Sequence, residues 1–270
     1  MNLREMLRND FGEDLSIEGG FGQSAKDPIC LITSQARDAS LTQLKIARFI
    51  YGAMGAYWRV IAREYVANEP GRLEKLTFEI KFTEGLEVVT EQRNLYFDLS
   101  AIELHEADQL PPISISLPTP FDVSLPWQIG YFHFDNLIDN ETDHPGLGFS
   151  AAYSAPHTKT TVYVYDKGIS SLINGNPVAT AETEYLQALL DYKTMFPQAR
   201  LVHEHLESQL HVSLFECEHA FAAVLVATSR GLFFKLRLTI EGPHEQYMRD
   251  CAWASIGTFS QMLRQRNLNA

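Results

Sequence analysis

Two stretches of the C-terminal half decide the fold: Thr160-Thr-Val-Tyr-Val-Tyr-Asp166 and Leu232-Phe-Phe-Lys-Leu-Arg-Leu-Thr-Ile240. Both are rich in β-branched and aromatic residues, which favours extended strands. A segment with helical periodicity follows each stretch, over about 181–196 and about 245–265. The order of strands, helix, several strands and helix predicts an α+β fold, with an antiparallel sheet and helices packed on a face.

The two helices differ in the faces that they are expected to bury. The first is predicted to begin after Thr180 as its N-cap residue. Its predicted buried face consists of Leu186, Leu189, Leu190 and Phe196. The second is predicted to bury one apolar stripe, which consists of Met248, Ala252, Ile256, Phe259 and Leu263. Between the helices, strands are predicted over 200–206, 211–218, 221–228 and 232–240, with a hairpin turn at Arg230-Gly231.

This C-terminal pattern is similar to that of PsbP-like α/β/α sandwich modules. The likeness rests on Pro145-Gly-Leu-Gly-Phe149, Val162-Tyr-Val-Tyr165, the strand Phe233-Phe-Lys-Leu-Arg237 and the helix after Pro243. It covers roughly the last half of the chain and concerns the fold. The resemblance implies a binding or accessory role. It supplies no catalytic set, so no site residues carry over.

The N-terminal part is predicted to be a long helix against a small sheet. An apolar stripe predicts a helix from about Ala36 to Val66. Residues 73–82 alternate between apolar and polar side chains, as a half-buried antiparallel strand does, and 86–99 continue as a second strand. Five prolines between 106 and 126 then predict an extended linker. The predicted organisation is an α+β unit over 1–105, a linker over 106–126 and a sandwich-like α+β unit over 127–270.

Charge and cysteine content exclude several classes of protein. The 270 residues carry a formal net charge of −12, which disfavours nucleic-acid binding and attracts a basic partner. The three cysteines form no CxxC pair, so neither a disulfide framework nor a thiolate zinc site is predicted. A charged N-terminus and the lack of any run of roughly 20 apolar residues predict a cytoplasmic protein without a membrane span.

The densest group of chemically active residues is His203-Glu-His205, followed by Glu216-Cys-Glu-His219. Histidines two apart on a strand share a face, so His203 and His205 are candidate ligands of a divalent metal, with His219 or Glu216 as the third. The alternative is an exposed polar strand face. No recognised metal-binding spacing such as HExxH supports the first interpretation, and no cofactor motif occurs elsewhere.

Aromatic side chains provide a second candidate site. Tyr163 and Tyr165 share one face of their strand, while Val162 and Val164 take the other. Exposed tyrosines on a sheet are good anchors for a protein partner, which makes this pair a candidate partner-binding site. The alternative is that a helix covers this face of the sheet and buries both rings.

Two loops have patterns that partly match ligand sites. Asp139, Glu141 and Asp143 alternate as in a calcium loop, but the glycine and the bidentate glutamate of such a loop are missing, which favours a solvated turn. Gly19-Gly-Phe-Gly22 has the composition of an anion-binding nest, with a flexible turn as the alternative. No nucleophile elbow occurs.

The leading hypothesis is a non-enzymatic protein-binding or accessory protein, such as an adaptor, chaperone or immunity-type protein. The alternatives are a metal-assisted hydrolase and a structural subunit of an assembly.

Overall fold

The structure is a computed structural model of the chain. It describes residues 2–12, 14–52, 56–66, 72–84, 87–102, 114–118, 121, 123–156, 158–168, 177–207, 210–218, 220–241 and 245–268. The chain divides into two compact units, Met1–Ile113 and Ser114–Ala270. Antiparallel sheet dominates both, and helices pack against it, which confirms the predicted α+β class. None of the described helices is both long enough and apolar enough to cross a membrane.

The first unit is built on one sheet. Its elements are α1 (Leu3–Phe11), β1 (Ile17–Gly19), β2 (Ile29–Leu31), α2 (Ala36–Ala47), β3 (Tyr57–Val66), β4 (Leu73–Glu84) and β5 (Glu87–Asp98). The strand order is β1-β2-β5-β4-β3, and only the β2–β5 pair is parallel. The alternation predicted for β4 is confirmed, because Leu76, Phe78 and Ile80 are buried.

The long helix predicted from Ala36 to Val66 is wrong. Helix α2 ends at Ala47, a single π-helical turn follows at Arg48–Gly52, and the chain then becomes strand β3. Aromatic and β-branched residues dominate Tyr57–Val66 and favour a strand, whereas spacing alone suited either element. Two residues of the apolar stripe, Tyr51 and Trp58, nevertheless pack together, with ring centroids 6.3 Å apart.

A buried polar triad ties α2 to the sheet. Gln43 Nε2 donates to Glu74 Oε2 at 2.6 Å, and Arg63 Nη1 donates to Glu74 Oε1 at 3.0 Å. Burial raises the pKa of Glu74, with Arg63 and Gln43 opposing that rise. A carboxylate with no exposed surface needs such partners, so the triad fixes the position of α2 on β3 and β4.

The second unit contains a larger sheet. Its elements are β6 (Ser114–Ser116), β7 (Ser124–Pro126), β8 (Gln128–Ile129), β9 (Phe132–Asp139), β10 (Phe149–Ala155), β11 (Thr158–Tyr165), α3 (Pro177–Met195), β12 (Arg200–Glu207), β13 (Leu210–Cys217), β14 (Ala220–Ser229), β15 (Leu232–Glu241) and α4 (Glu245–Leu268). Eight strands run in the order β12-β13-β14-β15-β11-β10-β9-β8, with antiparallel neighbours, and β6 pairs with β7 apart from them. The four strands predicted between 200 and 240 are confirmed.

Two local predictions in this unit have different outcomes. The turn at Arg230-Gly231 is confirmed, with φ of 50° and 76° at its two residues, the left-handed conformation that tight hairpins require. Of the linker predicted over 106–126, residues 106–113, 119, 120 and 122 lie outside the described residues, and β6 and β7 occupy much of the rest.

Helices α3 and α4 lie on opposite faces of the eight-stranded sheet. Side chains alternate between the two faces along β14. Ala222 packs in a buried cluster with Tyr185 of α3, whereas its neighbour Phe221 meets Arg249 of α4 at 5.4 Å. The apolar stripe predicted for α4 is confirmed, since all five of its members are buried.

The predicted N-cap of α3 is wrong, and its predicted buried face is wrong except at Leu189, which is half-buried and packs against the core. The helix begins at Pro177, so Thr180 lies inside it; proline suits a first helical turn because its missing N–H would have no partner there. Leu186, Leu190 and Phe196 are 56%, 60% and 44% exposed. The buried side chains are Ala181, Tyr185, Ala188 and Tyr192. Tyrosine is buried here because the sheet offers its ring apolar contacts and its hydroxyl a polar partner.

Candidate functional sites

His203 and His205 lie on one face of the edge strand β12. The His203 ring meets Trp253 of α4 with centroids 4.8 Å apart, and His205 Nε2 lies 3.0 Å from Glu207 Oε1. His219 lies outside the described residues. In the part of the chain that the structure describes, no three His, Cys, Asp or Glu side chains gather as a metal site. The metal-site hypothesis therefore depends on His219 and stays a prediction.

The two tyrosines of the predicted partner-binding site differ in how far they are exposed. Tyr163 is half-buried, with Lys235 Nζ 5.5 Å and Arg237 Cζ 5.8 Å from its ring centroid. Tyr165 is only 6% exposed and stacks on Phe233 with centroids 5.4 Å apart. Tyr165 thus packs beneath α3, and only Tyr163 retains surface that a partner can touch.

Glu184 of α3 organises a buried ionic cluster. Its carboxylate accepts a hydrogen bond from the Tyr165 hydroxyl, forms an ion pair with Lys167, and lies 3.3 Å from Lys235 Nζ. Burial acts to raise the pKa of Glu184, but hydrogen bonds from Lys167 and Tyr165 outweigh it and leave that pKa below its usual value. Burial lowers the pKa of Lys235, against the attraction of Glu184. These groups satisfy one another, as a cluster that anchors α3 to β11 and β15 must.

A second polar group lies under α3, on the side of β12. Tyr185 donates its hydroxyl to Glu204 Oε1 at 2.7 Å, shares a short hydrogen bond with Ser213, and stacks on His211 with centroids 5.1 Å apart. Burial lowers the pKa of His211, with Glu182 and Glu204 opposing the change. Ser213 has no exposed surface, so its hydroxyl cannot reach a substrate in this arrangement.

The largest feature that the sequence failed to predict is an exposed apolar surface on α3 and β12. We call it the α3–β12 surface and define it as Leu186, Leu190, Phe196, Leu201 and Leu206, each between 42% and 60% exposed. Scattered exposed apolar side chains are ordinary, but a contiguous group of them marks an interaction site. Two of the five are on α3, Phe196 follows the end of that helix, and the other two are on β12.

The strand register shows how these side chains come together. Leu206 pairs with His211, on which Tyr185 stacks, so Leu206 flanks the N-terminal half of α3. Leu201 pairs with Phe215, which packs against the C-terminal half of the helix. Helical geometry turns residues 186 and 196 toward the same flank and residue 190 outward. Leu201 and Leu206 therefore lie on the face of β12 that α3 covers, with Glu204 between them.

In the acidic loop and in the glycine loop, polar groups form hydrogen bonds within the loop itself. Glu141 accepts the backbone N–H of Gly146 at 3.0 Å and of Gly148 at 2.8 Å, so this carboxylate stabilises its own turn. In the glycine loop, Asp27 Oδ2 accepts the N–H of Phe21 at 3.1 Å, and the carbonyl of Asp27 accepts that of Gly22 at 2.8 Å. An anion nest needs free amides, which this loop does not offer.

Comparison with known proteins adds no family. No model of a protein family matches the chain, and no curated protein matches it either. The function must therefore be argued from the geometry of the two units.

Proposed function

We propose that this chain is a non-enzymatic, cytoplasmic protein-binding protein that takes a basic amphipathic segment of its partner on the α3–β12 surface. The observation that carries the proposal is the exposure of leucines at 186, 190 and 206, which are 56%, 60% and 56% exposed. Apolar side chains that a fold leaves uncovered gain free energy when a partner removes them from water, by about 25 cal/mol per Å².

The charges beside the surface favour a basic partner. Glu182 and Glu204 flank it, and neither forms an ion pair with a cationic side chain among the described residues. The whole chain carries a formal net charge of −12, which attracts a cation-bearing partner and repels nucleic acid. A partner segment with apolar side chains on one flank and lysine or arginine on the other complements both features.

The most direct test uses a synthetic helical peptide of leucine and lysine and a matched peptide of leucine and glutamate. We expect the native protein to bind the lysine peptide more tightly, as measured by fluorescence anisotropy. The double variant Leu186→Ser, Leu206→Ser should weaken that binding about tenfold or more. Ile138→Ser is the matched control, because Ile138 is 48% exposed on β9, away from the surface.

Two outcomes would overturn the proposal. One is equal affinity of the native protein for both peptides, which would show that the acidic groups beside the surface do not select a basic partner. The other is unchanged binding by the double variant, which would place any binding elsewhere. Since the replaced leucines are exposed, both variants should keep the native midpoint of thermal unfolding, which verifies that lost binding is not lost folding.

A further inference from the structure

A cleft lies at the edge of strand β5 in the first unit. It encloses about 910 Å³, within the range of roughly 300–1,000 Å³ that small-molecule sites occupy. Its apolar wall comes from α1, the glycine loop, the π-helical turn and β5, and consists of Leu3, Met6, Phe21, Phe49, Ile50 and Leu95. Four separate segments thus converge on one apolar recess.

The cleft exists because β5 is only partly covered along one edge. Strand β2 pairs with β5 only at Phe97 and Asp98. Just before that point the N–H of Tyr96 donates to the carbonyl of Gly22 at 2.9 Å, which holds the glycine loop against the strand. Gly22 has φ of +71°, and a Cβ there would lie 2.8 Å from Ile29, so glycine is required for this approach. The loop then presents Phe21 to the cleft.

The π-helical turn forms the opposite side of the cleft. Phe49, Ile50 and Tyr51 are three consecutive residues of this turn, and all three line the cleft. π-Helical turns cost stability relative to an α-helix and recur at functional sites. Here the turn brings three large side chains to one recess.

Tyr51 supplies a polar group inside the apolar wall. Its side chain is 2% exposed, and its hydroxyl has no hydrogen-bond partner among the described residues. Burial raises the pKa of Tyr51 to about 12, with the charge of Arg93 opposing the rise. The hydroxyl is therefore a hydrogen-bond donor at neutral pH. Tyr51 lines the cleft, so a ligand there can accept the hydrogen bond that no described residue accepts from its hydroxyl.

Arg93 is the one charged side chain among the described residues that line the cleft. Its Nε and Nη2 both bind Glu91 Oε2, at 3.0 Å and 2.8 Å, while Nη1 has no partner in the described structure. The two side chains are 42% and 40% exposed, so their ion pair is weak and a second acceptor can share the guanidinium. The guanidinium of Arg93 therefore keeps a donor for a ligand, and a guanidinium binds a carboxylate oxygen well.

We propose that this cleft binds a small apolar molecule that carries a carboxylate, with the carboxylate held by Arg93 and Tyr51 and the apolar part against the wall. The two groups are both donors, which suits an oxygen pair and not a cation or a second donor. This site is independent of the α3–β12 surface, and neither proposal requires the other.

Decanoate and decanol test the proposal, because they share an apolar chain and differ in the head group. Isothermal titration of the native protein should show decanoate binding more tightly than decanol. Arg93→Gln should weaken decanoate about tenfold or more and leave decanol within about twofold. Arg59→Gln is the matched control. Arg59 is on β3, its Nε lies 3.0 Å from Glu79 Oε1 in an ion pair, and it does not line the cleft.

Two further variants locate the ligand. Tyr51→Phe removes only the hydroxyl and should weaken decanoate several-fold, while Ile50→Trp fills the cleft and should abolish binding of both molecules. The midpoint of thermal unfolding shows which variants are folded, and Arg93→Gln remains decisive if the tryptophan variant does not fold. Absence of decanoate binding to the native protein overturns the proposal. Equal binding of decanoate by the native protein and Arg93→Gln overturns it as well.

Discussion

The hydroxyl of Tyr165 on β11 donates a hydrogen bond to the carboxylate of Glu184 on α3, at the place where Lys167 and Lys235 also reach that carboxylate. One acidic group therefore serves two ammonium groups and a phenol. Its loss would leave Lys235, whose side chain is only 14% exposed, without a counter-charge. Glu184 therefore connects α3 to β11 and β15 through three polar partners.

Replacement of Glu184 should be strongly destabilising. We expect Glu184→Gln to lower the free energy of unfolding by about 3 kcal/mol, because it leaves a buried cation unpaired. Glu182→Gln, on an exposed position of the same helix, should change it by less than about 0.5 kcal/mol. Urea denaturation measures both, and adding Lys235→Met to Glu184→Gln should restore part of the loss. Equal stability of the two single variants would contradict this role of Glu184.

The contribution of Glu184 should also depend on pH. Its folded pKa lies below its usual value, so the stabilisation is fully present above the unfolded pKa of about 4.3 and is lost as pH falls through the folded pKa. The difference in unfolding free energy between the native protein and Glu184→Gln should therefore shrink between pH 6 and pH 3. A difference that stays constant across this range would show that charge is not its source.

His211 should make the second unit sensitive to mild acid. Its pKa is lowered by burial, so its stabilisation is present above the unfolded value of about 6.5 and is lost as pH falls through the folded pKa. Glu182 and Glu204 face the ring and limit the effect. We expect His211→Phe, which keeps the stack on Tyr185, to lose less stability than the native protein between pH 7.5 and 5.5. Parallel losses in the two proteins would rule His211 out.

Gly148 and Gly168 form a matched pair for separating backbone strain from packing. Their φ values are +58° and +65°, so alanine at either position should cost about 1 kcal/mol through its backbone alone. A Cβ at Gly148 would also collide with the carbonyl of Val164, whereas a Cβ at Gly168 would have no atom of the described residues within 4 Å. Gly148→Ala should therefore cost at least about 1 kcal/mol more than Gly168→Ala in chemical denaturation. Equal costs would mean that β10 and β11 can separate without penalty.

The metal-site hypothesis can be decided by elemental analysis of protein purified without chelators. A site that uses His203, His205 and His219 requires about one equivalent of metal, and zinc should raise the unfolding midpoint. On the protein-binding proposal we expect zinc to shift the native protein no more than it shifts the double variant His203→Ala, His205→Ala. Stoichiometric metal that the double variant loses would favour the hydrolase instead.

Strands were predictable where pattern and chemistry agreed. Along β15, Phe234, Leu236 and Leu238 are buried, and the turn at Arg230-Gly231 has the residues that its geometry needs. The helix predicted over 36–66 is wrong because apolar residues at spacings of three and four suit a helix. Strand β3 instead pairs with β4 across the sheet. The spacing of apolar residues within one segment does not predict which distant strand will pair with that segment.

The two candidate sites were hidden for different physical reasons. Helix α3 carries one stripe with Tyr185 and Tyr192 and another with Leu186 and Leu190, and hydropathy favoured the leucines. The polar partners that bury the tyrosines come from β12 and β13, which lie later in the chain. The cleft in the first unit joins segments that are up to about 90 residues apart, so no window of sequence contains it. The run of Phe49, Ile50 and Tyr51 was its one local sign.

Strand β12 ends the larger sheet, and its register shifts between Leu201 and His203. Such a bulge, together with Glu204, His205 and Glu207 along the strand, interrupts the row of backbone groups that a passing strand would need. These features make β12 a poor template for pairing with a strand of a second copy. The leucines exposed beside β12 therefore lie next to a sheet edge that disfavours the addition of another strand.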